Sequence, residues 1–164
     1  MTETPKLGFR SRFFRGPGVI FLIPWVIVVL LGLIVYTVFM SLVVWAVCMF
    51  RGRYIIFVHS NSPVWQDYIA NNILPRLPSD AVILNWSEHL NWRWGSFPVR
   101  VFRLYGGYTD FNPLGLVCTS LRGTKTFRFW QPFRDFKHGD EKPLKDMEDN
   151  FFKSIEQTRP KKIK

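Results

Sequence analysis

The stretch YIIFVHSNSPVWQDYIANNILPRLPSDAVIL, residues 54–84, decides the fold of this chain. It opens with residues 54–58, five apolar or aromatic side chains without a charge, a pattern typical of a strand buried on both faces. It closes with a second such run, residues 81–84. A helix between two short buried strands predicts a strand–helix–strand unit whose two strands are parallel.

The helix between these strands has a predicted start, an apolar face and a predicted end. Ser62 and Pro63 match the preferred cap and first residue of a helix. Apolar side chains then recur at every fourth position, at Trp65, Ile69 and Ile73. Two prolines, Pro75 and Pro78, mark the predicted end of the segment.

Four further elements complete the predicted domain, residues 54–157. A second helix is predicted over residues 99–105, where a strand remains the alternative. Strands follow at residues 114–118 and 126–130, joined as a hairpin, and an amphipathic helix begins near Pro143. The predicted order is β-α-β-α-β-β-α, an α/β fold in which helices pack on a sheet as an α+β sandwich.

Upstream of this domain, residues 16–50 contain no Asp, Glu, Lys, Arg or His. A helix of about 20 apolar residues is enough to cross a bilayer core. A secretory signal has an apolar region of only about 7–15 residues and a small-residue cleavage pattern, which is missing here. We therefore predict an uncleaved transmembrane helix over residues 18–50, preceded by a basic N-terminal tail, residues 1–17.

The predicted helix is longer than a bilayer requires. Residues 18–50 would reach about 50 Å as one helix, whereas the hydrocarbon core is about 30 Å thick. Two explanations remain open: Pro24 kinks or starts the helix, or one end of the helix extends into protein. Only residues 51–53 separate the helix from the first strand, so the domain is expected to lie close to the bilayer.

Thr37, Ser41 and Trp45 lie on one face of the predicted helix. Small polar residues at this spacing let another helix approach closely, and contact with lipid is the open alternative. Lys and Arg are more numerous before the helix than directly after it, which predicts a cytoplasmic N-terminus in the cell (inner) membrane. The domain would then be extracytoplasmic, and in the periplasm if the cell is Gram-negative.

The chain has 164 residues and a net charge of +10, and its C-terminal tail, residues 158–164, is basic. This charge predicts contact with an anionic lipid surface or with an acidic partner. Nucleic acid is not an expected partner, because no recognition-helix or finger pattern is present. The three His residues are scattered without metal-ligand spacing, so neither a metal nor another cofactor is expected.

The element order resembles that of the thioredoxin-like fold family over residues 54–157. Two local features carry the resemblance. The Ser62-Pro63 turn lies between the first strand and the first helix, where the family has Cys-Gly-Pro-Cys. Pro113 directly precedes the third strand, where the family has its cis-proline. The resemblance therefore implies a cis Asn112–Pro113 bond and a groove beside this proline.

The chain departs from that family at the residues that carry its chemistry. Asn61-Ser62-Pro63-Val64 aligns with Cys-Gly-Pro-Cys, so both cysteines are missing from this degenerate site. Thiol–disulfide exchange requires a thiolate at the helix start and a second thiol. The only cysteines, Cys48 in the anchor and Cys118 in a strand, are not expected to meet. Thiol–disulfide oxidoreductase activity, and enzymatic activity in general, is therefore not expected.

A second chemistry remains open at the same turn. In glutathione transferases, which share the fold, a serine near the helix start stabilises a bound thiolate. Ser60 or Ser62 would have that role here, with Pro113 presenting its backbone to a peptide. The simpler interpretation is that Ser62 only caps the helix.

Aromatic and cationic residues exceed what a core requires in two places. In residues 128–137 the candidate interface with a partner or membrane consists of Trp130, Phe133, Arg134 and Phe136. After the second strand, Trp86, Trp92 and Trp94 form a similar group, for which interface and core both remain open.

Together these features favour a non-catalytic accessory subunit of a respiratory, photosynthetic or envelope membrane complex. Other transmembrane subunits would be its partners. The alternative is an enzyme or module that binds glutathione or a peptide in the groove formed by residues 60–63 and Pro113.

Overall fold

The computed structural model describes residues 18–119 and 123–158, with side chains from residue 22 onward. The predicted tail of residues 1–17, and all but the first residue of the predicted C-terminal tail, lie outside the described residues. The chain divides into two compact units between Phe39 and Met40. This boundary falls inside one helix, α1 (Gly18–Arg51), which confirms the predicted long apolar helix.

In the first unit, α1 is an apolar helix with an exposed surface. Every described side chain from Leu22 to Phe39 is exposed, so this apolar segment is not buried by the described part of the chain. The part of α1 up to Phe39 rises about 33 Å, close to the thickness of a hydrocarbon core. The helix is thus long and apolar enough to cross a membrane. Pro24 lies inside the helix and does not start it.

The second unit contains a four-stranded mixed sheet. Its strands are β1 (Arg53–His59), β2 (Val82–Asn85), β3 (Leu114–Thr119) and β4 (Gly123–Arg128), in the order β2-β1-β3-β4. β1 and β2 are parallel, which confirms the predicted strand–helix–strand unit. β1 pairs antiparallel with β3, and β3 with β4, which confirms the predicted hairpin.

Helices connect and cover these strands. After β1, α2 (Gln66–Tyr68) continues as a π-helical turn, Ile69–Ile73, and a 3₁₀ turn, Leu74–Arg76. A 3₁₀ helix, Trp86–Asn91, follows β2 and leads to α3 (Phe97–Gly106). The structure therefore has a helix, not a strand, over residues 99–105. The last two helices in the described part of the chain are α4 (Trp130–Lys137) and α5 (Lys142–Gln157).

The helix α4 is absent from the predicted element order, because Trp130 was assigned to a strand. β4 instead ends at Arg128, and the chain turns directly into α4. Pro132 is compatible with this helix because it lies in the first turn, where backbone N–H groups have no intrahelical acceptor. The aromatic side chains of this segment are therefore distributed around a helix, not alternately across a strand.

Two apolar layers cover the two faces of the sheet. The first face carries Ile55 and Phe57 and packs against residues of the π-helical turn, α4 and α5. Aromatic rings dominate this layer: the Phe57 ring centroid lies 5.9 Å from that of Phe129 and 6.0 Å from that of Phe151. The second face carries Tyr54, Ile56, Val58, Leu114, Leu116 and Cys118. It packs against α3 and against the last turns of α1.

The end of α1 is a core element of the second unit. Met40, Val44 and Cys48 recur at every fourth position and are 3%, 3% and 0% exposed. Val44 and Cys48 belong to the same apolar cluster as Ile56 and Leu116. Of the two explanations for the excess helix length, the structure thus supports the one in which an end of the helix extends into protein.

Gly115 of β3 has no side chain, and the Phe151 ring occupies the space where a side chain would lie. A Cβ atom at this position would lie 2.5 Å from Phe151 Cε2, closer than atoms can approach. We expect Gly115→Ala to lower the free energy of unfolding by about 1–3 kcal/mol, because a buried ring must shift. Gly95→Ala is the control, since its Cβ would meet nothing nearer than 3.8 Å. Urea denaturation in mild detergent measures both, and equal effects would contradict the packing argument.

Candidate functional site

One end of the sheet brings together polar residues that are far apart in the sequence. β1 ends at His59 and β2 at Asn85, and these two residues are paired in the parallel register. On the other side, Val58 pairs with Leu114 in the antiparallel register, so its continuation places His59 opposite Pro113. We call this end of the sheet the polar edge. It consists of His59, Asn85 and the turns that follow them, and of Pro113 and the turn that precedes it.

Side-chain hydrogen bonds join the two turns of the polar edge. Asn85 Nδ2 donates to Asn61 Oδ1 and to Glu88 Oε1, each at 3.0 Å. The Asn61 backbone N–H donates to Ser87 Oγ at 3.0 Å, and the Ser87 N–H donates to Asn85 Oδ1 at 3.1 Å. Asn85 thereby caps the 3₁₀ helix and also fixes the turn after β1.

The degenerate site, Asn61-Ser62-Pro63-Val64, lies at this edge as a turn. Asn61, Pro63 and Val64 are exposed and Ser62 is half-buried. Ser62 does not cap a helix with its side chain, contrary to the expectation. Its backbone carbonyl accepts from Trp65 N and Gln66 N, and α2 begins only at Gln66.

Pro113 is buried and follows a cis peptide bond, as the resemblance implies. Its carbonyl oxygen accepts from the Phe129 N–H at 3.0 Å. Proline has no N–H, and the Phe129 N–H already uses one of the two lone pairs on the Pro113 carbonyl oxygen. The second lone pair is therefore the only backbone group of Pro113 that could bond to a peptide.

Buried polar atoms without a partner are concentrated near the polar edge. His59 Nδ1, Trp65 Nε1 and Asn112 Oδ1 have no hydrogen-bond partner in the described part of the chain. A buried donor or acceptor left unpaired costs about 1–3 kcal/mol, so the fold carries a local energetic cost at this edge. The residues predicted for the site did not include His59. A polar residue at the end of an apolar strand is nevertheless a sequence signal for a functional position.

Burial lowers the pKa of His59, and the Ser60 backbone and the Glu88 carboxylate oppose this effect in part. The folded state thus disfavours the charged His59 ring. The free energy of unfolding should therefore be highest above the pKa of His59 in the unfolded chain, near 6.5, and should fall as the pH drops below that value. We expect the free energy of unfolding to decrease from pH 7.5 to pH 5.5, and His59→Gln to reduce that decrease.

His138→Gln, which changes an exposed imidazole, is the control for this pH dependence. It should leave the decrease unchanged. An identical decrease in wild type and His59→Gln would show that His59 does not titrate differently in the two states.

An aromatic cavity of about 430 Å³ lies in the second unit. Phe111 in its wall directly precedes Asn112, and Trp86 directly follows Asn85, so the cavity begins beside the polar edge. Six of its lining residues are aromatic: Trp86, Trp92, Trp94, Phe102, Tyr108 and Phe111. The other three are His89, Arg103 and Gly107.

Trp86 is the central ring of this cavity. Its centroid lies 4.6 Å from that of Phe111 and 5.6 Å from that of Trp92, both in edge-to-face arrangements. The His89 ring stacks on Trp86 at 4.5 Å with an angle of 7° between the planes. Trp86 and Trp92 are half-buried and Trp94 is 64% exposed. The tryptophan group is thus neither wholly core nor wholly surface.

The predicted interface of residues 128–137 is smaller than expected. Phe133 is only 1% exposed, because α4 turns it into the core against Tyr68, so it is a core residue. Phe136 is half-buried and also contacts Tyr68. Arg134 is exposed, and its guanidinium lies 5.1 Å from the ring centroid of the half-buried Trp130. These two residues remain on the surface.

The predicted helix–helix face of α1 differs from the face that is buried. Thr37 is exposed, and its hydroxyl donates to the Leu33 carbonyl at 2.8 Å. Ser41 is half-buried and Trp45 is exposed. The buried row of α1 is that of Val44 and Cys48, as described above.

The two cysteines are both free and 0% exposed. They belong to one apolar cluster, and no disulfide joins them. Burial is the main cause that raises the pKa of Cys118 to about 11. Cys118 pairs with Tyr54, five residues before His59, so about 17 Å of β1 separates it from the polar edge.

Within residues 18–119 and 123–158, no group of three or more His, Cys, Asp or Glu side chains could hold a metal ion. Comparisons of the chain with known protein families, with curated proteins and with solved structures found no match.

Proposed function

We propose that this protein is a non-catalytic, single-pass, membrane-anchored accessory subunit of a respiratory, photosynthetic or envelope membrane complex. Its domain would be a thioredoxin-like fold without redox activity. The strand order β2-β1-β3-β4, the parallel β1–β2 pair and the position of Pro113 before β3 support this assignment of the fold.

The observation that carries the proposal is the dual character of α1. Its first part is exposed and apolar over about the thickness of a bilayer core. Its last part contributes Val44 and Cys48 to the core of the second unit. Cleavage after the apolar segment, as in a secreted protein, would remove core residues, so the helix is better understood as a permanent anchor.

The position of the thiols supports a role without redox chemistry. The turn of residues 61–64 contains no cysteine, and Cys118 lies about 17 Å along β1 from the polar edge. Both thiols are fully buried, and the raised pKa of Cys118 disfavours the reactive thiolate.

Trp130 and Arg134 are the surface residues that we propose for docking on another subunit. An aromatic ring with a guanidinium over it is a common arrangement at protein interfaces. The net charge of +10 supports additional contact with anionic headgroups. Lys and Arg before α1 support a cytoplasmic N-terminus and an extracytoplasmic domain, which protease digestion of intact and opened cells tests.

The docking proposal is tested by placing a photo-crosslinking amino acid at position 130 in the native membrane. Position 150, exposed on α5, carries the same group in the control. We expect position 130 to give a discrete crosslinked product with an integral membrane protein and position 150 to give none. A monodisperse monomer in mild detergent, without any such product, would contradict an accessory role.

A second candidate function is the binding of glutathione or a peptide in the groove of residues 60–63 and Pro113. The unpartnered buried atoms His59 Nδ1 and Asn112 Oδ1 favour it, since a small opening of this edge on binding would let a ligand satisfy them. Calorimetric titration with glutathione and with tetra-alanine tests this function. Saturable binding that Ser62→Ala or His59→Gln weakens would support it, and the absence of heat with both ligands would contradict it.

A further inference from the structure

We propose that the aromatic cavity binds a planar aromatic ligand of about two fused rings that carries a carboxylate or another anionic group. Neither the anchor nor the proposed docking residues Trp130 and Arg134 contribute to this cavity. The proposal is therefore independent of the accessory role.

The shape and walls of the cavity determine the apolar part of the ligand. Its volume of about 430 Å³ lies within the range of about 300–1,000 Å³ that small-molecule sites occupy. Trp86 contacts both Phe111 and Trp92 edge to face, so a planar ring in the cavity would pack against the parts of these rings that face the cavity. Offset and edge-to-face contacts are the favoured geometries between aromatic rings.

Charge determines the polar part of the ligand. Among the described lining residues, Arg103 alone has a formal charge at neutral pH, and no Asp or Glu lines the cavity. A cage of aromatic rings without a cation would favour a quaternary ammonium group, but the guanidinium repels such a ligand. An anion is attracted by Arg103 and by the positive net charge of the chain.

The geometry of Arg103 leaves its donors available. The guanidinium carbon lies 3.6 Å from the ring centroid of Trp94, which is a stacked position. The N–H bonds of a guanidinium point outward in its plane, so stacking occupies its face and leaves its edge for a carboxylate. No ion pair in the described part of the chain engages Arg103.

His89 supplies a second polar group. Its Nδ1 lies 2.8 Å from the Trp86 carbonyl oxygen, which can only accept, so Nδ1 carries the proton. In the neutral ring, Nε2 is then an acceptor that suits a hydroxyl or N–H group on the ligand.

The loop that lines one side of the cavity is held by the sheet. Arg128 of β4 donates from Nη1 to the Thr109 carbonyl at 2.6 Å. Gly107 has a φ of 76°, and a Cβ atom there would lie 3.0 Å from Arg128 Nη2. Arg128 thus positions the loop that carries Tyr108 and Phe111, so the cavity exists without a ligand.

Three matched probes test the proposal on the full chain in non-ionic detergent: naphthalene-2-carboxylate, naphthalene-2-carboxamide and 2-naphthylmethylammonium. Isothermal titration calorimetry should show saturable binding of the carboxylate, about tenfold tighter than that of the carboxamide, and no binding of the ammonium. Arg103→Gln should weaken the carboxylate about tenfold and leave the carboxamide unchanged.

The control variant is Arg100→Gln, which removes an exposed charge from the same helix but does not line the cavity. With each of the three probes it should give the same result as the wild type. The proposal is overturned if the carboxylate shows no saturable binding up to about 1 mM. It is also overturned if the ammonium binds as tightly, or if Arg100→Gln and Arg103→Gln weaken the carboxylate equally.

Discussion

A chain that begins at Gly52 is expected to lose its folded domain, whereas a chain that begins at Met40 is expected to keep it. The difference between the two is the last part of α1, whose residues Met40, Val44 and Cys48 are buried. Full burial of a Val or Met side chain contributes about 1.5–3 kcal/mol, so their loss is on the order of 5 kcal/mol. A domain of this size is stable by only about 5–15 kcal/mol.

Removal of these turns also uncovers the second face of the sheet. Ile56, Leu116 and Cys118 would become part of an exposed apolar patch, and such patches promote association. We therefore expect the shorter chain to aggregate or to unfold at lower urea concentration. Circular dichroism and urea denaturation of the two detergent-solubilised chains measure the effect.

A matched pair of substitutions in the longer chain separates core packing from anchoring. Val44→Asp places an unpaired charge in the core and should abolish the cooperative transition. Leu42→Asp alters a side chain that is 59% exposed and should retain this transition. Equal stability of the two variants, or of the two truncated chains, would mean that α1 serves only as an anchor.

Replacement of Phe133 by Ala is expected to lower the free energy of unfolding by about 3–5 kcal/mol, the usual cost for a buried Phe. Its ring lies 5.4 Å from that of Tyr68 and 5.8 Å from that of Trp65, and only 1% of the residue is exposed. Truncation leaves a cavity that the surrounding rings can fill only in part.

The neighbouring variant Arg134→Ala is the control, because it removes an exposed side chain from the same helix. Its effect on stability should stay within about 0.5 kcal/mol, while it should weaken docking if Arg134 contacts a partner. Urea denaturation measures stability, and crosslinking from position 130 measures docking. A small loss of stability in Phe133→Ala would contradict the core position of Phe133 and support its earlier assignment to the interface.

Much of the second unit could be predicted from local sequence patterns. The continuous apolar run of residues 54–58 predicted β1, since a strand buried on both faces has few other compositions. The four-residue recurrence in residues 65–73 predicted the helical segment that follows β1. Leu144, Phe151 and Ile155 predicted α5, which the structure gives as Lys142–Gln157. Such patterns depend on neighbours along one element.

The missed features depend on several elements at once. Phe133 was assigned to an interface, because a sequence cannot show that α4 turns this ring toward Tyr68. The sequence also cannot show that Cys48 of α1 packs on the same face of the sheet as Cys118 of β3. The aromatic cavity likewise combines a turn after β2, the helix α3 and the loop before β3, which are separate in the sequence.

The sequence by itself determined that the chain has a long apolar helix and a domain of mixed helices and strands. Charge and apolar periodicity are properties of adjacent residues, so they can be read along the chain. Only the tertiary structure decided that the last turns of that helix belong to the core of the domain, and that Arg103 lies in an aromatic cavity. The burial of a side chain and the residues that contact it depend on close packing between elements that are distant in the sequence.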